Sequence, residues 1–186
     1  TVFPFYNLML YQENPGETVD IIGVGKTGLA AFNWNGLSYI ERFRNPVIKG
    51  SVALGHTDKN NKLDLVCVDE MGLDVYFYEK NGDKLEKKWQ TGSLTGDRLA
   101  KVVAIADWDN DGRIETIVST NAEGGYLVFY PVEEGYRNYT FREGNGKILQ
   151  IDDLDGDGKQ EVVISYHKSN NTPSIYVLRL TRSLID

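Results

Sequence analysis

The feature that most constrains the fold of this 186-residue chain is a unit of apolar run, acidic loop and second apolar run that occurs four times. The acids that close the four loops are spaced by 44, 51 and 46 residues, and they are Asp20, Asp64, Glu115 and Glu161. The runs that follow these acids are IIGVG, LVCVD, TIVST and VVISY, all of them β-branched or apolar. Four copies in phase indicate a repeat architecture, in which each unit buries its apolar faces against its neighbours.

The remainder of each unit predicts hairpins. Asn35-Gly36 and Asn81-Gly82 are strong hairpin-turn dipeptides, and Glu134-Gly135 is a weaker one at the same place. No segment has the 3.6-residue apolar period of a helix. Each unit therefore reads as four antiparallel strands over roughly 47 residues, which is the pattern of a β-propeller blade.

We predict an all-β fold, a β-propeller with four blades. Its units run approximately over residues 8–46, 47–98, 99–144 and 145–186, and the fourth lacks a clear fourth strand. A strand over residues 1–6 has no partner within the first unit, and adding it to the last blade would close the ring and leave no free edge. The alternative is that the four units are a segment of a larger propeller.

The third and fourth loops carry the ligands that calcium prefers. Alternate positions of a tight loop direct their oxygens into one cavity, and Ca²⁺ takes six to eight oxygen ligands. Gly112 and Gly158 provide the left-handed turn that lets each loop wrap an ion. The predicted ligands of the third loop are Asp107, Asp109, Asp111, the Arg113 carbonyl and Glu115, and those of the fourth are Asp153, Asp155, Asp157, the Lys159 carbonyl and Glu161.

Other metal sites fit this pattern less well. An EF-hand requires a bidentate glutamate at position 12 and flanking helices, whereas Val118 and Ile164 occupy that position and the flanks read as strands. Magnesium demands stricter octahedral geometry. Zinc is disfavoured because these two loops have no His or Cys.

The first two loops have lost acids. The second offers His56, Asp58, Asn60, the Lys62 carbonyl and Asp64, which make a weak metal site at best. The first reads Gln12, Asn14, Gly16 and Asp20, and we expect it to be metal-free and held by hydrogen bonds. Two metal ions are therefore predicted, with the second loop as a third candidate.

Composition excludes several classes of partner. The net charge of −7 disfavours nucleic acid and anionic membrane surfaces, which are bound by clustered Lys and Arg. No apolar run approaches the ~18 residues of a membrane span. The single cysteine, Cys67, lies in an apolar run and is expected in the core. Trp34 lies at a hairpin tip, NWNG, and is a candidate ligand contact.

The motif DxDxDGxx[DE] between two strands, repeated at this period, resembles the FG-GAP (VCBS-type) repeat. That repeat builds the calcium-binding blades of integrin α-subunit propellers and of several lectins and polysaccharide lyases. The match is best in the third and fourth units, although the literal FG and GAP residues are absent.

The resemblance implies a function as well as a fold. It implies a non-enzymatic, calcium-stabilised binding platform that recognises a protein or a carbohydrate, as in cell adhesion or lectin activity. A carbohydrate-active enzyme, or an accessory domain of one, is the alternative. The same resemblance implies a secreted or cell-surface location. The sequence does not determine the oligomeric state.

Overall fold

The computed structural model describes residues 5–12, 18–60, 62–82, 84–92, 99–121, 125–142, 147–167 and 173–179. Over these residues the chain is all-β, as predicted, with fifteen strands and no helix. The strands are β1 (Phe5–Tyr11), β2 (Asp20–Gly25), β3 (Gly28–Trp34), β4 (Tyr39–Asn45), β5 (Val52–Gly55), β6 (Asp64–Val68), β7 (Val75–Asn81), β8 (Lys84–Gln90), β9 (Leu99–Ala106), β10 (Glu115–Thr120), β11 (Gly125–Val132), β12 (Gly135–Arg142), β13 (Lys147–Asp152), β14 (Glu161–His167) and β15 (Pro173–Arg179).

The strands form four antiparallel sheets, each built from strands that are consecutive in sequence. The first sheet is β1–β4, the second β5–β8, the third β9–β12, and the fourth β13–β15. Every acidic loop connects the first and second strands of its sheet, and the three predicted turn dipeptides, Asn35-Gly36, Asn81-Gly82 and Glu134-Gly135, lie in or beside the turn between the third and fourth. Gly36, Gly82 and Gly135 have positive φ, as these turns require.

Of the predicted closing strand over residues 1–6, the structure describes Phe5 and Tyr6. Phe5 and Tyr6 belong to β1, and Phe5 pairs with Gly25 of β2. These two residues extend the first sheet because β2 continues as far as Gly25, the partner of Phe5. Residues 1–4 lie outside the described residues.

Three apolar cores lie between successive sheets, because alternate side chains of a strand point to opposite faces. In β6, Leu65 and Cys67 pack towards the first sheet, whereas Val66 and Val68 pack towards the third. Trp108 and Ile117 of the third sheet lie in the core shared with the fourth. The second and third sheets therefore have both faces covered.

The first and fourth sheets each have one apolar face that no described residue covers. Leu8 and Leu10 alternate with the packed Met9 and Tyr11 of β1, and Leu10 is 74% exposed. In β15 the outward residues Ile175 and Val177 are 70% and 57% exposed. The opening strands contact one another from β1 to β5, β5 to β9 and β9 to β13, and the described residues show no comparable contact from β13 to β1. The arrangement is consistent with propeller blades, and a closed ring is not part of what the structure describes.

Candidate metal-binding loops

The third loop brings three acids together at the edge of the third sheet. It runs between Ala106, the end of β9, and Glu115, the start of β10. Carboxylate oxygens of Asp107, Asp109 and Glu115 lie within 4.8 Å of one another. Asp109 is 1% exposed and Glu115 is fully buried, so the cluster is largely withdrawn from water.

The backbone of this loop is shaped around its first aspartate. The amides of Asp111 and Gly112 donate hydrogen bonds to the Asp107 carboxylate, at 3.0 and 2.9 Å. Gly112 has φ of 87°, which confirms the predicted left-handed turn, and Asn110 also adopts a positive φ of 60°. Strands flank the loop on both sides, as expected for a site that is not an EF-hand.

Glu115 is the electrostatic centre of the third loop. Its Oε2 accepts a hydrogen bond from the Trp108 amide at 3.3 Å, whereas its buried Oε1 has no hydrogen-bond partner. Burial is the largest cause that raises the pKa of this carboxyl to about 8; the negative charges of Asp109, Asp111 and Asp107 also raise it, and the hydrogen bond from the Trp108 amide lowers it. A buried carboxylate without a partner is costly, and a cation placed among these oxygens would supply the missing interaction. The donors present therefore fit a hard cation such as Ca²⁺.

Asp111 does not join this cluster. Its carboxylate forms an ion pair with the Arg113 guanidinium, which also accounts for the raised pKa of Arg113. Arg113 lies 6.0 Å from the ring centroid of Tyr130 on β11. The ligand roles of Asp111 and of the Arg113 carbonyl stay predictions.

The fourth loop has a similar backbone and a different charge balance. Oxygens of Asp153, Asp155 and Glu161 lie within 4.8 Å of one another, and the amides of Gly156, Asp157 and Gly158 donate to Asp153. Gly158 has φ of 85°. In this loop a cation bonds directly to two of the three clustered acids, Asp155 and Glu161.

That cation is the Arg179 guanidinium on β15. It donates to Asp155 at 2.8 Å, to Asp157 at 2.9 Å and to Glu161 through its Nε at 2.7 Å. Arg179 is the cross-strand partner of Glu161, which explains how its side chain reaches the loop. A metal ion at Asp153, Asp155 and Glu161 would compete with Arg179, and the role of the Lys159 carbonyl stays a prediction.

The predicted ligands of the second loop bond to other protein groups. His56 Nδ1 lies 2.8 Å from the Lys62 carbonyl, so these two candidates are hydrogen-bonded to each other. Asp64 is fully buried and accepts hydrogen bonds from the amide and hydroxyl of Thr57, at 2.8 and 2.6 Å. Asn60 donates to Glu79 of β7 at 2.6 Å. Among the described residues this loop forms no metal-ligating group of the kind seen in the third and fourth loops.

The first loop is held by hydrogen bonds where it is described. Asn33 of β3 donates to Asp20 at 2.5 Å and to Thr18 at 3.0 Å, in agreement with a loop that has no carboxylate cluster. Asn14 and Gly16 lie outside the described residues.

Two residues inside the loops connect neighbouring sheets, and sequence reasoning missed their partners. Thr57 lies 2.5 Å from the Tyr136 hydroxyl of the third sheet. Asn110 donates to the Gln160 carbonyl at 3.3 Å and accepts from the Gln160 amide at 2.7 Å. Neither partner has a sequence signal, because each belongs to another repeat.

Trp34 lies at the end of β3, beside the turn of the β3–β4 hairpin. It is 38% exposed, and its ring centroid lies 5.2 Å from that of Tyr39. Leu37 and Ile40 of the same hairpin are 89% and 47% exposed. We call Trp34, Leu37, Tyr39 and Ile40 the hairpin apex.

Comparison with known proteins identifies relatives of the repeat. Residues 57–118 match the FG-GAP-like repeat family, which confirms the resemblance inferred from the sequence. The chain is 28% identical over 152 residues to the KICSTOR complex protein ITFG2 of Bos taurus, covering 70% of this chain and 27% of that protein. It is also 28% identical over 151 residues to ITFG2 of Mus musculus, covering 70% and 32%. The chain thus spans about three-tenths of the length of these curated relatives.

These relatives bear on the expected location and on the expected type of ligand. The expected extracellular or cell-surface location is wrong, because both relatives are named as proteins of the KICSTOR complex, which is not an extracellular assembly. They also give no support to a carbohydrate ligand. Within the described residues, no helix is long and apolar enough to cross a membrane.

Proposed function

We propose that this chain, which carries FG-GAP-like repeats, is part of a non-enzymatic propeller-type scaffold that binds protein partners within a multiprotein complex. The relatives are named as proteins of such a complex. The observation that carries the proposal is the hairpin apex, an apolar cluster that protrudes from the first sheet and in which Leu37 is 89% exposed. Exposed aromatic and aliphatic anchors of this kind are typical of the centres of protein interfaces.

We further propose that the four sheets are consecutive blades of a larger propeller. The first and fourth sheets keep an apolar face exposed, whereas both faces of the second and third are buried. A further sheet packed on Leu8 and Leu10, and another on Ile175 and Val177, would bury these faces as the inner ones are buried. Leu154 supports this reading, because the equivalent Trp108 is fully buried near the next sheet while Leu154 is 49% exposed.

The acidic loops are proposed to stabilise this scaffold through calcium. Asp107, Asp109 and Glu115 would hold the ion in the third loop, where the buried Glu115 Oε1 has no other partner. Asp153, Asp155 and Glu161 would hold a second ion only when Arg179 moves away. The ion would tie the first two strands of a blade together, which is a structural role and not a catalytic one.

Reconstitution with the other proteins of a KICSTOR complex from the same source tests the scaffold proposal. We expect the wild-type chain to co-elute with that assembly in size-exclusion chromatography. We expect the double substitution Trp34→Ala and Leu37→Ser to abolish co-elution, because it removes the apolar anchors. Lys87→Met, on the exposed side of β8, is the matched control and should co-elute. Wild-type protein that stays separate, or a double variant that co-elutes unchanged, would contradict the proposal.

A further inference from the structure

Lys88 is placed in the second loop by an irregularity of the outermost strand. In the β7–β8 ladder, Trp89 pairs with Phe77 and Lys87 pairs with Tyr78. Lys88 is therefore the extra residue of a β-bulge. Bulges redirect the side chain of the inserted residue, and here the redirected side chain runs to the acidic loop of its own sheet.

The Lys88 ammonium lies among three carboxylates. Its Nζ is 2.5 Å from Asp58 Oδ2, 3.6 Å from Asp64 Oδ1 and 3.7 Å from Glu79 Oε2. Burial lowers the pKa of Lys88, but the hydrogen bond to Asp58 and the charges of Asp64 and Asp58 outweigh this effect and raise it overall. The lysine is thus held in its charged form at the place where several oxygens converge.

The acids that close the second and third loops are buried in the same way, but their surroundings differ. Asp64 accepts a hydrogen bond from the amide of Thr57, just as Glu115 accepts one from the amide of Trp108. Both acids are fully buried, and each has one oxygen without a hydrogen-bond partner. That oxygen of Asp64 faces Lys88. In the third sheet the β11–β12 ladder runs without a bulge, so no inserted residue is directed to Glu115.

We propose that Lys88 is the built-in cation of the second loop and takes the place that the proposed metal ion would take in the third loop. The remaining acids of this loop, Asp58 and Asp64, thus have a cation beside them without a metal ion. The single positive charge of Lys88 can balance fewer carboxylates than the double charge of Ca²⁺ can, and the second loop itself has fewer acids than the third.

The same principle extends to the fourth loop, where the cation reaches in from the third strand. Arg179 bonds to Asp155, Asp157 and Glu161, so it satisfies these oxygens when no ion is bound. Since Arg179 is 32% exposed at its side chain, it can leave towards solvent when an ion enters. Arg179 therefore acts as an internal competitor that weakens metal binding at the fourth loop relative to the third.

The first sheet carries a basic residue at the corresponding bulge. In the β3–β4 ladder, Phe43 pairs with Ala31 and Glu41 pairs with Phe32, which leaves Arg42 as the inserted residue. This bulge occupies the same register, relative to the closing acid Asp20, as the Lys88 bulge does relative to Asp64. The two loops that have lost acids thus share a basic bulge on the fourth strand.

Melting experiments with Lys88→Met test the proposal without any metal. In excess chelator we expect Lys88→Met to melt about 5 °C or more below wild type, because Asp64 loses the cation that lies 3.6 Å from its Oδ1. Lys87→Met is the control from the adjacent position, where the lysine bonds to Gln90, and should melt close to wild type. A Lys88→Met melt equal to that of Lys87→Met would overturn the proposal.

Lys88→Arg separates charge from packing. We expect this variant to melt near wild type, since it restores a cation at the bulge. If Lys88→Met does not fold at all, a folded Lys88→Arg still supports the proposal, whereas equal loss of both variants would overturn it. Because these melts are recorded in chelator, they do not depend on the proposed calcium sites or on the proposed scaffold function.

Calorimetric titration of Arg179→Gln with Ca²⁺ tests the fourth loop, and this part rests on the proposed calcium sites. We expect binding at the fourth loop to tighten by about tenfold, because the competing guanidinium is gone. Arg44→Gln removes a comparable arginine–carboxylate pair, with Glu41, away from the loops and should leave binding unchanged. An Arg179→Gln titration identical to that of Arg44→Gln would refute the competition.

Discussion

Replacement of Glu115 by glutamine should stabilise the metal-free protein, although it removes a predicted metal ligand. The folded protein holds the Glu115 proton up to a pKa of about 8, against a usual value of 4.5. Between these values the folded state binds more protons than the unfolded state, so stability falls as pH rises through this interval. This loss of stability is absent below pH 4.5 and complete above pH 8.

The magnitude follows from the size of this interval. Each pKa unit corresponds to about 1.4 kcal/mol, so the cost at pH 7 approaches about 3 kcal/mol. Glutamine is neutral at every pH and has almost the same shape. Its carbonyl can accept from the Trp108 amide in place of Oε2, and its NH₂ group can replace the Oε1 that has no partner. Glu115→Gln should therefore recover most of this cost.

Urea unfolding at pH 7 in excess chelator, followed by tryptophan fluorescence, measures the difference. Glu134→Gln, in the β11–β12 turn, is an exposed control and should leave the midpoint unchanged. Calcium should reverse the order, since it stabilises only the protein that can bind it. Glu115→Gln that is equally or less stable than wild type in chelator would refute the reasoning.

Three further predictions concern the packing around the loops. Burial raises the pKa of Cys67 to about 12, so a thiol reagent at pH 8 should label it only after denaturation; rapid labelling of native protein would contradict its place in the core. Gly135→Ala should cost about 2 kcal/mol in urea unfolding, because φ is +87° and the new Cβ would lie 2.5 Å from Trp89 Nε1; an unchanged midpoint would argue against this contact. Asn110→Ala should lower the free energy of unfolding by about 1 kcal/mol, because both hydrogen bonds to Gln160 are lost; an unchanged free energy would show that these bonds do not stabilise the fold.

The sequence predicted the features that depend on neighbouring residues. The Asn35-Gly36 and Asn81-Gly82 turns, the strands on either side of each loop and the left-handed glycines Gly112 and Gly158 all follow from local patterns.

The features that could not be predicted from the sequence depend on the register between strands that are distant along the chain. Lys88 reaches Asp58 and Asp64 only because of a bulge in β8, and Arg179 reaches its loop only because it is paired with Glu161. A one-residue change of register would turn either side chain to the other face. Apolar periodicity identifies strands and does not fix such registers, so the internal cations became visible only in the structure.

We propose that the third loop takes its cation from solution while the second carries its own. Titration of metal-free protein with Ca²⁺ in a calorimeter tests it most directly. We expect one tightly bound equivalent of Ca²⁺ and one that binds more weakly. Asp109→Ala should abolish the tight binding, and Asp58→Ala should affect neither. No binding, or tight binding that survives Asp109→Ala and is lost in Asp58→Ala, would contradict it.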